Sequence, residues 1–330
     1  MRAGGRRALV WLMLLVSGIG VAATPERGPW IVALVLGTAW TPLMLAWREA
    51  GGTSLRGALV WGALALGLGL CARWAALGVP LETGRPSEGM FAYLMTAAIL
   101  AALTTVLNAR GPREWVWAIL MALLVVVFLI PWLEGSGRAR VADGLGRLRL
   151  ESPWTLFYGF LAVAGIANYL PTRYGRAATV LGGALVVEFL GLWFVDWPPG
   201  RRAACWTWSA WLFGASWWVA WLDASRRPRG RNELERLWFW FRDHWGAVWA
   251  LRIAEQFNRS ATLLDWPIRL TWEGLAPVDP NSDAPGEVPD RALRTFRGLI
   301  RRFARPERLD RAAAGDSGVD HSAGAPRATI

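Results

Sequence analysis

The sequence predicts an all-α protein: a polytopic bundle of about eight transmembrane helices with a cytoplasmic tail of amphipathic helices. Three observations support this fold class. Hydrophobic residues make up 54% of the 330-residue chain and charged residues only 18%. The charged residues cluster between long apolar runs, whereas a soluble chain of this length would interleave the two classes. Several runs reach the roughly 20 residues that a helix needs to cross a hydrocarbon core about 30 Å thick.

The apolar runs predict eight spans within residues 1–222, which we assign to the transmembrane bundle. They cover residues 8–23, 30–47, 58–78, 90–107, 116–133, 154–170, 177–195 and 205–222. The first run is short and follows three arginines, and Val21, Ala22 and Ala23 form a small-residue cleavage pattern. A signal peptide, which would leave seven spans, is therefore the alternative at residues 8–23.

Arginine placement predicts the orientation of the bundle, because arginines in short loops favour the cytoplasmic side of a membrane. Alternate loops carry them, at Arg6 and Arg7, Arg48 and Arg56, Arg110 and Arg113, and Arg173 and Arg176. Both termini are therefore predicted to be cytoplasmic. The loop at residues 134–153 disagrees, since its four arginines would lie outside. All 36 basic residues are arginine, which is typical of a GC-rich prokaryotic genome and predicts a multi-pass inner-membrane protein.

Small residues four positions apart predict places where helix backbones approach closely in lipid. The pairs are Ala63 with Gly67, Ala65 with Gly69, Ala178 with Gly182, and Ala210 with Gly214. Tryptophans at the ends of the predicted spans are typical of residues that anchor a helix at the membrane interface.

The composition of the chain changes at Asp223, where charged and aromatic residues begin to alternate. Residues 223–275 are predicted to form a tryptophan-rich interfacial region around one amphipathic helix at 232–258. Its apolar stripe includes Trp238, Phe241, Trp245 and Trp249, which are predicted to contact the membrane surface. Packing of this helix against the spans is the alternative.

Residues 276–289 are predicted to be a flexible linker, 290–311 a basic amphipathic helix and 312–330 a disordered tail. In the basic helix Arg294, Arg297, Arg301 and Arg302 lie outside the apolar stripe. They predict binding to anionic lipid at the cytoplasmic face, where each such charge is worth about 1 kcal/mol. A specific nucleic-acid partner is not expected, because no recognised nucleic-acid-binding motif accompanies these arginines.

Arg73 and Glu188 are the only clearly intramembrane charges in the predicted spans, and such charges need a partner or a wet cavity. At 1.5 Å per residue, both lie roughly 7 to 11 Å below the outer surface. We therefore hypothesise an ion pair between them. We favour a structural pin over a proton or cation site.

The sequence contains no recognisable catalytic constellation. With two histidines and two cysteines, a multi-histidine metal site and a disulfide framework are not expected, and no cofactor or metal is predicted. The sequence thus favours a non-enzymatic assembly or interaction subunit with a possible membrane-protein partner. The alternatives are a transporter that uses Arg73 and Glu188 and, third, a lipid-modifying enzyme, for which only Asp243 and His244 approach a reactive cluster.

Overall fold

The computed structural model describes residues 3–24, 26–77, 88–107, 114–139, 151–194, 196–225, 230–278 and 288–314. In those residues the chain forms eleven α-helices and one two-stranded antiparallel hairpin. Two compact units are present. The helical bundle comprises Met1–Trp47 and Leu55–Arg226, and the C-terminal unit comprises Arg48–Ser54 and Arg227–Ile330.

Eight helices build the helical bundle, and each coincides with one predicted span. They are α1 (Ala3–Ala23), α2 (Gly28–Glu49), α3 (Arg56–Ala76), α4 (Glu88–Leu107), α5 (Glu114–Ala139), α6 (Ser152–Tyr169), α7 (Gly175–Trp193) and α8 (Pro199–Ala224). Among the described helices five are long and apolar enough to cross a membrane, namely α1 to α4 and α7. The shorter apolar stretch of α5, and α6 and α8, do not reach that length and apolarity together, so their membrane crossing stays a prediction.

Small residues set the closest helix contacts in the bundle. A Cβ on Gly69 would lie 3.1 Å from the Met95 sulfur, and one on Gly214 would lie 2.9 Å from Val35. These contacts confirm the helix contacts predicted at Gly69 and Gly214, and the structure shows that their partners are α4 and α2. Gly67 meets nothing within 4 Å, so the contact predicted there is not found.

Three aromatic residues form a polar centre inside the bundle. The Tyr93 hydroxyl of α4 donates to the Phe128 carbonyl of α5, and the Tyr158 hydroxyl of α6 lies 2.8 Å from that of Tyr93 and 3.2 Å from the same carbonyl. A backbone carbonyl has two lone pairs, so the Phe128 carbonyl can accept from the tyrosines in addition to its place in α5.

The C-terminal unit contains α9 (Glu233–Leu263), β1 (Ile268–Thr271), β2 (Gly274–Pro277), α10 (Asp290–Ile300) and α11 (Pro306–Ala314). Asn232 caps α9 by accepting from the Glu235 amide at 2.9 Å, and the Glu235 carboxylate accepts from the Arg231 amide at 2.7 Å. The first bond satisfies an amide that the first turn of a helix leaves open, and the second binds the residue that precedes the cap.

Residues 48–54 complete the C-terminal unit. The amide of Ser54 donates to the Phe303 carbonyl at 3.0 Å, and the amide of Arg305 donates to the Gly52 carbonyl at 2.9 Å. The Ser54 hydroxyl also accepts from the Trp245 indole at 3.0 Å. A connection between two candidate spans is therefore an integral part of this unit.

The structure corrects the prediction for the tail in three places. The single helix expected at 232–258 extends to Leu263 and is interrupted at Gly246, whose φ of 76° and ψ of −174° are not helical. A hairpin occupies 268–277, within the region expected to be an interfacial helix and the start of the linker. The helix expected at 290–311 is divided into α10 and α11. Most of the predicted linker (279–287) and of the predicted disordered tail (315–330) lies outside the described residues.

The burial pattern of β1 and two side-chain hydrogen bonds explain why the hairpin forms here. Ile268 and Leu270 are buried while Arg269 between them is exposed, which is the alternation of a half-buried strand. The Asn258 side chain of α9 binds both backbone groups of Leu270, donating to its carbonyl at 2.9 Å and accepting from its amide at 2.6 Å. The Asn258 side chain thereby makes the two backbone hydrogen bonds that a neighbouring strand would make with Leu270.

We predict that Gly246→Ala destabilises the C-terminal unit by about 1–3 kcal/mol, because only glycine adopts this backbone conformation readily. Gly298→Ala is the matched control. Gly298 lies in α10 with nothing within 4 Å of an added Cβ, so alanine there should stabilise by about 0.5–1 kcal/mol. Amide hydrogen exchange of α9 in the full-length protein measures both effects, and equal exchange in the two variants would contradict the assignment.

We also predict that Tyr93→Phe and Tyr158→Phe each cost about 0.5–1.5 kcal/mol and that the double variant costs more than their sum. Either hydroxyl alone still serves the Phe128 carbonyl, whereas the double variant removes both donors. Thermal unfolding in detergent tests this, and strict additivity would show that the two hydroxyls do not share the carbonyl.

Candidate functional site

A buried charge cluster lies where α3, α4 and α8 meet. Arg73, in the last turn of α3, is completely buried. Its Nη2 lies 2.5 Å from Oε1 of Glu88, the first residue of α4, and its Nη1 donates to the Thr207 hydroxyl of α8 at 2.7 Å. The helix dipole favours a carboxylate at the start of α4. The arginine therefore links three helices through charge-assisted bonds.

The structure contradicts the predicted ion pair between Arg73 and Glu188. No ion pair joins Arg73 to Glu188 among the described residues, and Glu88 takes that place. Sequence reasoning missed Glu88 because the span was predicted to begin two residues later, at Met90, so its charge was counted with the loop. The available signal was the short separation of Arg73 and Glu88, since helices joined by a short connection are usually antiparallel neighbours with adjoining ends.

Glu188 lies near Arg73 without bonding to it. The carboxyl is completely buried in α7, and neither of its oxygens has a hydrogen-bond partner in the described part of the chain. Ser209 of α8 faces it, and the charges of Arg73 and Glu88 act on it. Glu188 thus belongs to the same cluster as Arg73 but forms no ion pair with it.

Trp206 of α8 packs against the turn of α7 that follows Glu188. A Cβ on Gly191 of α7 would lie 2.9 Å from the indole Nε1, and a Cβ on Gly89 of α4 would lie 2.7 Å from the ring. The Arg202 guanidinium stacks over the same ring at 5.1 Å. Because Gly191 and Trp206 are about one turn nearer the helix ends than Glu188 and Ser209, the indole lies between the carboxyl and the end of the bundle.

The other end of the bundle is joined by a second set of charges. Arg176 of α7 pairs with Asp223 of α8, and Arg7 of α1 donates to the Ser225 carbonyl at 3.1 Å. The predicted loops at Arg6 and Arg7 and at Arg173 and Arg176 therefore adjoin the same end of the bundle as the end of α8.

The four aromatic residues expected at the membrane surface are in the interior of the C-terminal unit. Trp238, Phe241 and Trp245 have no exposed area, and Trp249 is 6% exposed. Phe303 contacts three of them, with ring centroids 5.0 to 5.6 Å apart. The physical reason for the difference is that α10 and α11 cover the apolar stripe of α9, which gives these rings a protein partner instead of lipid.

The four arginines expected to face lipid divide into two groups. Arg294, Arg301 and Arg302 are exposed. Arg297 instead joins α9 to α11, with its Nη2 2.6 Å from Glu233 and its Nη1 2.7 Å from Asp310. Burial alone would lower the pKa of Arg297, but its bonds to these two carboxylates outweigh it and raise that pKa.

Arg308 is a further cation that sequence reasoning did not single out. It is 4% exposed, and its guanidinium lies 5.9 Å from the centre of the Trp240 ring. Burial and then the charge of Arg311 lower the pKa of Arg308, while Glu49 acts in the opposite direction. It therefore couples α11 to the segment at residues 48–54 by charge.

The described residues offer little for catalysis. No group of three or more His, Cys, Asp or Glu side chains in them could hold a metal ion. Asp243 is completely buried beside Arg242, and the His244 Nδ1 lies 2.7 Å from the Trp240 carbonyl one turn earlier. The imidazole is therefore engaged with a backbone carbonyl of its own helix.

Comparison with known proteins gives no relative. No family model, no curated protein and no solved structure matches this chain.

We predict that Arg73→Gln and Glu88→Gln are coupled by about 0.5–3 kcal/mol in a double-mutant cycle of unfolding free energy, because they form one ion pair. The cycle of Arg73→Gln with Glu188→Gln is the control and should show a smaller coupling. A larger coupling with Glu188 would mean that the expected pair, and not the one with Glu88, dominates.

Proposed function

We propose that this chain is a multi-pass protein of a prokaryotic inner membrane, with both termini cytoplasmic, that acts as a non-enzymatic assembly or interaction subunit. On this proposal the helical bundle anchors the chain, and the C-terminal unit presents arginines to anionic lipid and a binding surface to a membrane-protein partner. The proposal requires no cofactor and no nucleic acid.

The observation that carries the proposal is the two-sided character of α10. Ala292, Phe296 and Ile300 are completely buried in the C-terminal unit, whereas Arg294 and Arg301 point outward. Because the apolar side is used internally, the exposed side of α10 is available as a charged surface. Arginine binds phosphate groups well, since its planar guanidinium matches their geometry.

Chain connectivity supports a position at the membrane surface. Residues 48–54 connect two candidate spans, so on this proposal the short segment lies at the membrane interface by covalent geometry. The same segment is bonded to Phe303 and Arg305, which follow directly after α10. The exposed arginines at Arg301 and Arg302 are therefore within a few residues of that segment's binding site.

The charge of these arginines sets the expected strength of lipid binding. Each cationic side chain near an anionic leaflet contributes about 1 kcal/mol, so Arg294, Arg301 and Arg302 together supply about 3 kcal/mol. Such binding weakens as salt is added, since exposed charges are screened over about 10 Å at 0.1 M ionic strength.

Arginine footprinting of the full-length protein tests the lipid contact. An arginine-specific dicarbonyl reagent is applied to the protein in nanodiscs of neutral phosphatidylcholine and in nanodiscs that include an anionic lipid, and modification is read by mass spectrometry. We predict lower modification of Arg294, Arg301 and Arg302 in the anionic nanodiscs, with the difference removed by salt.

Arg259 and Arg269 are the matched controls, because both are exposed on the same unit but lie on α9 and β1. Their modification should not depend on the lipid. Equal modification of Arg294, Arg301 and Arg302 in the two kinds of nanodisc would contradict the lipid contact. Migration of the gently solubilised chain as a lone monomer, with no stoichiometric partner, would contradict the role as an interaction subunit.

One observation favours a second candidate function, transport. Glu188 is a buried carboxyl with neither oxygen bonded in the described residues, and unsatisfied intramembrane carboxyls are common in proton and ion pathways. The complete burial of Arg73 and Glu188 supports the structural role of the cluster over an open route. Proton flux into proteoliposomes, compared between the parent chain and Glu188→Gln, separates the two functions.

A further inference from the structure

Glu188 differs from two other carboxyls in the part of the helical bundle that the structure describes, the buried Asp223 and the partly buried Glu88. Asp223 pairs with Arg176, and Glu88 pairs with Arg73, whereas Glu188 has no ion pair within the described residues. The Ser209 hydroxyl faces its carboxyl, but neither carboxyl oxygen has a hydrogen-bond partner of normal geometry there. A carboxylate anion in apolar surroundings needs donors or a counter-charge of its own.

Among the residues that the structure describes, the groups that act electrostatically on Glu188 come from three helices. Arg73 approaches from α3, Glu88 from α4, and Ser209 and Cys205 from α8. From the same helix α8, Arg202 bonds to the Gly191 carbonyl at 3.3 Å. The contact with α6 lies about two turns away along α7, where Gly182 meets the apolar side chain of Ile166.

The charge balance of the cluster leaves Glu188 without a counter-charge. Arg73 carries one positive charge, which its ion pair with Glu88 neutralises. If Glu188 were ionised, the buried cluster would hold one net negative charge away from water. If Glu188 is protonated, the cluster is neutral.

The geometry also limits the size of what Glu188 can bind. The residue has no exposed area, and the Trp206 indole occupies the space between Gly89 and Gly191. Hard metal cations take about six oxygen ligands. The described groups that act on Glu188 include one further carboxylate, already paired with Arg73, and the Ser209 hydroxyl. A proton is the only cation that needs neither volume nor further ligands.

We propose that Glu188 is a proton-binding site, holding one proton in this arrangement and releasing it when Arg73 exchanges its partner Glu88 for Glu188. The binding step is Glu188–COO⁻ + H⁺ → Glu188–COOH, in which the carboxyl oxygen forms an O–H bond and no electrons are transferred. This inference does not depend on the proposed interaction function, which concerns the C-terminal unit.

The source of the proton is water at the end of the bundle where Glu88 lies. The Glu88 side chain is 16% exposed whereas Glu188 has no exposed area, so Glu88 is the more accessible carboxylate of the two. Arg73 connects this more accessible carboxylate to the buried one, and Trp206 lies beside the path. Release of the proton therefore requires movement of Arg73 and repacking of Trp206.

Infrared difference spectroscopy of the full-length protein in nanodiscs tests the proposal. We predict that the parent chain shows the carbonyl stretching band of a protonated carboxyl, shifted in D₂O, and that Glu188→Gln removes it. Glutamine has the shape of the neutral acid, so this variant should unfold at the same temperature as the parent. Glu255→Gln, at an exposed position of α9, should leave the band unchanged.

A second variant makes the proposed exchange testable. Glu88→Gln removes the present partner of Arg73, and the freed guanidinium should then pair with ionised Glu188, so the band should also disappear. If the spectra of the folded parent and of folded Glu188→Gln have the same protonated-carboxyl band, Glu188 is ionised and the proposal fails. If the band persists in folded Glu88→Gln, Arg73 does not exchange partners and the coupling fails.

Discussion

The burial of Arg73 is the constraint on which the helical bundle depends. A guanidinium away from water requires a counter-charge and hydrogen-bond acceptors, and Glu88 and Thr207 supply both. These partners belong to α4 and α8, so satisfying one side chain fixes the relative positions of three helices. The cost of leaving Arg73 unpaired makes alternative packings of these helices unfavourable, and in that sense the ion pair specifies the arrangement more than it stabilises it.

Glycine and tryptophan act together around this cluster. Gly89 and Gly191 provide the space that the Trp206 indole fills, and Gly62 does the same for Trp217. A large rigid ring against a residue without a side chain gives close contact and little lost conformational entropy. The same packing encloses Glu188. Its carboxyl therefore lies in a tightly packed interior and not in an open cavity.

The C-terminal unit is held by an aromatic interior. Phe303 contacts Phe241, Trp245 and Trp249, and its own carbonyl binds the Ser54 amide. The segment at residues 48–54 thereby joins a unit whose remaining residues follow more than 170 positions later in the chain. The interruption of α9 at Gly246 redirects its second half, and the hairpin bonded to Asn258 packs beside it. Arg294 in α10 and Arg301 and Arg302 just after it remain outside, because the apolar side of α10 is committed to this interior.

The sequence by itself determined the helices of the bundle, since backbone in lipid must satisfy its own hydrogen bonds and each apolar run is long enough to do so as a helix. It also indicated that Arg73 and Glu188 share one region. Only the tertiary structure decided that Glu88 is the partner of Arg73, because a pairing depends on helix rotation and on where a helix begins, which apolar length does not encode. An amphipathic stripe likewise could not predict whether protein or lipid covers the four aromatic side chains Trp238, Phe241, Trp245 and Trp249. Lipid and a covering helix satisfy such a stripe equally well, and only the folded chain shows which one is present.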